Sequence, residues 1–260
     1  MDWLNAAAGL GVGILVGLTG VGGGSLMAPI MILVFGVSPA TAVGTDLWFA
    51  AITKAVGGTI HHRQGGVDGQ VLKRLCIGSL PAAVVTLLFL WYTGGHQIKN
   101  GLILNLLGGM LIVTAVATLF RHKFVEWSRN YQRGSGHGAL NVQAPLTIVA
   151  GVALGILVTL TSVGAGALGV TMILCLYPLR MNANRLVATD IVHAIPLTII
   201  GGIGNFFMGN VNLPLLGSLL VGSIPGIIIG SLATTKIPEG GLRITLAIVL
   251  AIVGTRMLLG

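Results

Sequence analysis

Two carboxylates stand where an apolar chain tolerates them least. Asp46 and Asp190 each follow a threonine, in Val43-Gly44-Thr45-Asp46 and Val187-Ala188-Thr189-Asp190, and each lies about two turns inside a helix-length apolar run. A carboxylate at that depth is costly unless it is paired, neutralised or wetted by a cavity, which makes it a functional candidate. The competing explanation is structural: each sits near the positive end of its own helix and can hydrogen-bond local backbone. If functional, Thr45, Asp46, Thr189 and Asp190 carry a proton or cation, or form the frame that braces a neighbouring turn. Lys54 is the one cation inside an apolar run, a partner for a carboxylate or a passing anion unless it snorkels to the helix end. His193 follows Asp190 by three positions, so the two share a helix face and can couple in proton movement, although a satisfied core histidine has the same signature.

A second kind of chemistry is offered by glycine. Leu18-Thr19-Gly20-Val21-Gly22-Gly23-Gly24-Ser25 interrupts two apolar runs, and a near-copy returns as Leu160-Thr161-Ser162-Val163-Gly164-Ala165-Gly166-Ala167. As helices, Leu4 to Thr19 would be about 24 Å long and Leu26 to Phe35 about 15 Å. Neither fills a hydrocarbon core of roughly 30 Å. The pattern predicts a hairpin of short helices whose turn lies below the membrane surface, shielded by protein or lining a cavity. Bare amides and a helix N-terminus at such a turn attract anions. The predicted anion ligands are therefore Thr19, Gly22, Gly23, Gly24 and Ser25 in one break, and Thr161, Ser162, Gly164 and Gly166 in the other. Neutral donors of this kind suit a compact tetrahedral or pyramidal oxyanion. The alternative is that these glycines only let helices approach.

The elements that must hold these residues follow from composition. Of 260 residues, 54% are apolar and 8% charged, which fits an integral membrane protein and no ordinary soluble domain. The net charge of +8 comes from cations scattered over short loops, not from a basic stripe, so nucleic acid is not an expected partner. Leu4 onward reads as a retained membrane segment, since no cationic leader precedes it. Further helices are predicted over about 40–60, 72–92 and 98–120, and residues 121–144 read as a hydrophilic linker.

The chain is duplicated. Gly57-Gly58 returns as Gly201-Gly202, and Gly78-Ser79-Leu80-Pro81 as Gly222-Ser223-Ile224-Pro225, in the same order as the glycine breaks and the Thr-Asp pairs. Residues 1–120 form the first repeat and 145–260 the second. Five segments per half would invert the second repeat in the membrane. Threading that arrangement puts Arg63, Lys73, Arg74, Arg121, Lys123, Arg129, Arg133, Arg180, Arg185, Lys236 and Arg243 on one side, eleven of the fourteen Lys and Arg. That side is expected to be cytoplasmic, with the linker, leaving both termini outside. Gly222, Gly226 and Gly230, four apart on one helix, are a close-packing face.

The glycine breaks together with the Gly44-Thr45-Asp46 element and their echoes resemble the TauE/SafE family of sulfite exporters and related permeases, over nearly the whole chain. The resemblance implies an inner-membrane transporter of sulfite, organosulfonates such as sulfoacetate, or related sulfur anions. The expected architecture is all-α, with two inverted repeats whose broken hairpins meet near the midplane and whose halves rock in alternating access. Expected partners are the small anion and the lipid bilayer, with a homodimer as an option. An anion channel using the same turns, or a scaffold that transports nothing, are the alternatives. Cys76 and Cys175 lack metal-ligand spacing, and no metal, cofactor, catalytic nucleophile or enzymatic motif is evident. Ala165 and Ala167 stand where the first break has Gly23 and Ser25, so the two turns need not contact substrate equally.

Overall fold

Backbone in lipid must satisfy its own hydrogen bonds, and a chain with few charges does so by coiling into helices. The computed structural model describes residues 3–19, 25–61, 66–93, 100–233 and 239–259, and among them there are helices and turns but no strand. The helices are α1 (Trp3–Thr19), α2 (Met27–Leu33), α3 (Pro39–His61), α4 (Gly69–Tyr92), α5 (Asn100–Leu119), α6 (Arg121–Thr161), α7 (Ala167–Leu176), α8 (Ala183–Phe207), α9 (Leu213–Ala233) and α10 (Glu239–Leu259). Among the described residues, five segments are long and apolar enough to cross a membrane: α4, α8 from Asn184, α9, Gly101–Leu119 of α5 and Val142–Thr161 of α6. The all-helical membrane architecture expected from composition is the one observed.

Helix starts are set by short polar side chains. Ser38 Oγ accepts from the Thr41 amide ahead of α3, Asp68 Oδ1 from Val71 at α4, Asn182 Oδ1 from Arg185 at α8, and Asn212 Oδ1 from Leu215 at α9. Each satisfies an amide that the first helical turn leaves unpaired. The hydrophilic residues expected to link the halves are helical and belong to α6, the same helix that carries the apolar run up to the second break. Their donors finish another helix: Ser128 Oγ donates to the Cys175 carbonyl, Gln132 Nε2 to Leu176 (2.9 Å) and Arg129 Nε to Pro178 (3.4 Å), covering carbonyls at the end of α7.

The halves are interleaved. The most extensive helix pair is α1 on α9, followed by its repeat equivalent, α6 on α4, so the first helix of each half packs on the fourth helix of the other. Glycine makes both contacts close. A Cβ added at Gly222 would lie 1.8 Å from the Ala6 carbonyl oxygen, one at Gly13 would lie 2.4 Å from that of Ser223, and one at Gly78 would lie 2.1 Å from that of Ile148. Without a hydrophobic drive between helices in lipid, such backbone-to-backbone approach supplies the packing energy. The repeat-related helices α3 and α8 also pack on each other and run antiparallel: Gly44 lies by Asn205, Leu47 by Gly201, Trp48 by Gly202 and Gly58 by Ile191.

Candidate functional site

The second glycine break is enclosed by protein. Thr161, Ser162, Val163, Gly164 and Gly166 are buried, and Ala165 is half-buried. α6 stops because Ser162 takes a left-handed conformation (φ 59°) and Gly164 a φ of 115° that side chains resist. The Gly166 and Gly169 amides both donate to the Gly164 carbonyl, at 2.8 and 3.0 Å, which closes the turn and starts α7. α7 then runs back far enough for Tyr177 Oη to meet Thr147 Oγ1 of α6 at 2.8 Å. With ten residues α7 is about 15 Å long, half of what a crossing needs. In the second half only the arm after the break is short: α7 has ten residues, whereas the arm before it, Val142–Thr161 of α6, is long enough to cross, against the expectation of two short arms.

The break is held by side chains of the first half. Ser162 Oγ donates to Asp46 Oδ2 at 2.8 Å, and the Ala28 amide of α2 faces the same carboxylate. Lys54 Nζ donates to the Ala165 carbonyl and lies 3.7 Å from Asp190 Oδ2, with both side chains buried. Asp46 and Lys54 flank the middle of α3, so the break sits at the mid-length of that helix. α7 presses on the other face of Asp190, where a Cβ at Gly169 would fall 2.3 Å from Oδ1. Thr161 Oγ1 donates to the Leu157 carbonyl at 2.6 Å and accepts from the Val163 amide.

The Asn212 amide donates to Thr45 Oγ1 and the Asp68 amide to Thr189 Oγ1, each at 3.0 Å. Each threonine of the Thr-Asp pairs thereby receives the residue capping the fourth helix of the opposite half. His193 does not engage Asp190. Its Nε2 bonds Ser79 Oγ at 2.8 Å, and Nδ1 has no hydrogen-bond partner among the described residues. Asp46 and Asp190 bear on different residues of the break, Asp46 on Ser162 and Asp190, through Lys54, on Ala165. Ser25 is half-buried in the turn that precedes α2. Gly22, Gly23 and Gly24, the side chain of Thr19, and the loop cations Arg63, Lys99 and Lys236 lie outside the described residues.

A cavity of about 50 Å³, lined in part by Val43, Leu106, Asn205 and Asn210, reaches Thr159 and Leu160 in the last turn of α6 before the break. The family described as Sulfite exporter TauE/SafE matches residues 5–257. The chain belongs to that family. It is 38% identical to the Probable membrane transporter protein YjnA of Bacillus subtilis, over 96% of this chain and 97% of the relative. It is 29% identical to the Probable membrane transporter protein YdhB of the same organism, over 95% and 96%. The Probable membrane transporter protein MJ0441 of Methanocaldococcus jannaschii is 27% identical, over 95% and 92%. No solved structure matches.

In this TauE/SafE chain, residues that sequence reasoning passed over join the halves at one pole. Asp68 is buried beneath Arg180, whose Nε and Nη2 donate to its two oxygens at 2.7 and 2.8 Å, while Arg185 Nη2 approaches Oδ2 at 3.3 Å. Arg74 Nη1 donates to Tyr177 Oη next to them, at 2.9 Å. Burial pushes the Asp68 carboxyl up, but the Val71 amide and the two guanidinium groups outweigh it and hold it below the ordinary carboxylate value. A signal for this pole did exist: Asp68 occupies the repeat position of Asn212, a capping pair differing by one charge.

Ser162 gives a test of how the break is held. Exchange for alanine removes the bond to buried Asp46, a loss of about 1–3 kcal/mol. Exchange for glycine removes the same bond and also relieves the left-handed strain, worth about 1–2 kcal/mol. Ser162→Gly should therefore be the more stable of the two in thermal denaturation in detergent, the reverse of the order inside a helix. Equal melting points would mean that the turn relaxes away from this geometry.

Proposed function

We propose that this chain is a secondary transporter that moves a small sulfur-containing anion, sulfite or an organosulfonate such as sulfoacetate, outward across the inner membrane by alternating access. The reading is carried by one observation: Lys54 of one half reaches the carbonyl of the broken segment of the other, so a buried cation stands at an interrupted helix. An anion entering the break gains that charge together with the N-terminus of α7. Thr161, Ser162, Gly164 and Gly166, with Thr19, Gly22, Gly23, Gly24 and Ser25 of the first break, contribute amides and hydroxyls. Thr45, Asp46, Thr189 and Asp190 brace the turns or carry a coupling ion.

Several features support the transport cycle. The antiparallel run of α3 and α8, together with the exchanged pairing of α1 with α9 and α6 with α4, is what a two-fold axis in the membrane plane produces. Rocking one half on the other then alternates access to the breaks. Arg74, Arg129, Arg180 and Arg185 gather near one pole, which becomes the cytoplasmic one, with both termini outside. An inside-negative potential favours anion export by roughly 2.3 kcal/mol per charge per 100 mV, so strong ion coupling is not required.

Proteoliposomes loaded with radiolabelled sulfite should show saturable efflux that accelerates when unlabelled sulfite is present on the far side. A non-saturating, ohmic current would replace the carrier by a channel. Absence of flux for sulfite, sulfoacetate, thiosulfate and sulfate alike would favour a scaffold.

A further inference from the structure

The pole that holds Asp68 is not matched by its repeat equivalent. At both poles the residue capping the fourth helix sends its amide to the threonine of a Thr-Asp pair in the other half. At one pole that residue is Asn212, with the neutral Asn205–Asn210 pair beside it. At the other it is Asp68, clamped by Arg180 and Arg185 with Arg74 close by. The cluster therefore places two guanidinium groups on one carboxylate, with the third, that of Arg74, on the neighbouring Tyr177 hydroxyl.

We propose that Arg180 and Arg185 form a second oxyanion site, at which an incoming sulfite- or sulfonate-type anion takes the place of the Asp68 carboxylate. The fork of Arg180 that spans both oxygens of Asp68 is the geometry in which a guanidinium group binds any oxyanion with two oxygens on one edge. Arg185 has donor capacity to spare, since its buried Nε has no hydrogen-bond partner among the described residues. The arginine side chains are 40% and 41% exposed while that of Asp68 is 1% exposed, so an anion arriving from water meets the guanidinium groups before the carboxylate.

The site is tied to the centre of the molecule. Asp68 is fastened through its amide to Thr189, and Asp190, the next residue, pairs with Lys54 at the break. An anion that displaces the Asp68 side chain loosens the latch between halves at this pole and leaves the neutral latch at Asn212 untouched. Binding at the arginines stands without the transport reading. Only the consequence, that arrival of substrate unlocks its own path, rests on it.

Isothermal titration of the purified full chain with sodium sulfite, against sodium chloride of equal ionic strength, tests the site. Asp68→Asn keeps a capping side chain and removes the internal competitor. It should bind sulfite about tenfold more tightly, the size of one charge-assisted hydrogen bond. That gain should vanish when Arg180→Gln is added. Arg185→Gln, which leaves the Arg180–Asp68 fork intact, should weaken sulfite binding in the otherwise unchanged protein by a similar factor. Unaltered or weaker affinity in folded Asp68→Asn, a gain that survives Arg180→Gln, or unchanged affinity in Arg185→Gln would each overturn the proposal. Binding to Asp68→Asn by a protein that shows no sulfite flux would sustain this site while the transport reading fails.

Discussion

Exchanging Lys54 for methionine is expected to destabilise the protein by about 3–5 kcal/mol, the cost of leaving a buried ion-pair partner uncompensated. Lys54 and Asp190 come from different halves, lie 3.7 Å apart and are almost wholly shielded from solvent. Neither Asp190 oxygen has a hydrogen-bond partner among the described residues, so the lysine is the compensating charge that the carboxylate possesses there. Asp190→Leu should cost a comparable amount for the converse reason, because it strands the ammonium group with the Ala165 carbonyl. The double exchange Lys54→Met with Asp190→Leu should recover most of the loss, since two apolar side chains of similar volume replace a pair whose desolvation offsets much of its attraction. Denaturation of the four proteins in detergent gives the coupling energy directly. Additive losses would mean that the two charges do not compensate one another. Because the pair is buried, its coupling should change little with added salt. Anion efflux should stay abolished in the stable double variant if Lys54 meets the substrate.

Gly222→Ala is expected to be among the most damaging single-methyl additions that the chain can suffer. The new Cβ would fall 1.8 Å from the Ala6 carbonyl oxygen, with Leu10 N at 2.8 Å, and backbone cannot rotate away as a side chain can. Overpacking in a soluble core costs about 1–3 kcal/mol. Here α1 and α9 must separate along a shared seam that also includes Gly9, Gly13, Gly17, Gly226 and Gly230, so the loss should exceed that range. The matched control is Gly217→Ala on the same helix, where an added Cβ meets nothing within 4 Å. It should be neutral or stabilising by up to about 1 kcal/mol. Comparison of the two melting temperatures checks the packing, and equal behaviour would refute the close α1–α9 contact. By the repeat relation, Gly78→Ala should fail in the same way at α4 and α6, where the new atom would sit 2.1 Å from the Ile148 carbonyl oxygen.

The linear sequence determined the class of protein, the duplication, the approximate bounds of α3, α4 and α5, and the position of the break after Thr161, but not that residues 121–144 continue as the helix leading into that break. These are local or additive properties: hydropathy sums over a run of residues, a cap acts within three residues, and a repeat needs only self-comparison. Membrane residence and family followed from the same signals. What only the tertiary structure decided is which faces meet. Helices apolar on every side carry little periodic signal to mark a partner, so nothing in α1 pointed to α9, nor in α6 to α4. The pairs Lys54–Asp190, Ser162–Asp46 and Ser79–His193 join residues more than a hundred positions apart, and their register is set by glycine seams that let backbones touch. Asp190 and His193 share a helix turn yet find different partners, because those partners stand on α3 and α4. The clamp at Asp68 was hidden for a related reason: a loop aspartate and two loop arginines read as solvated charges until the two halves close over them.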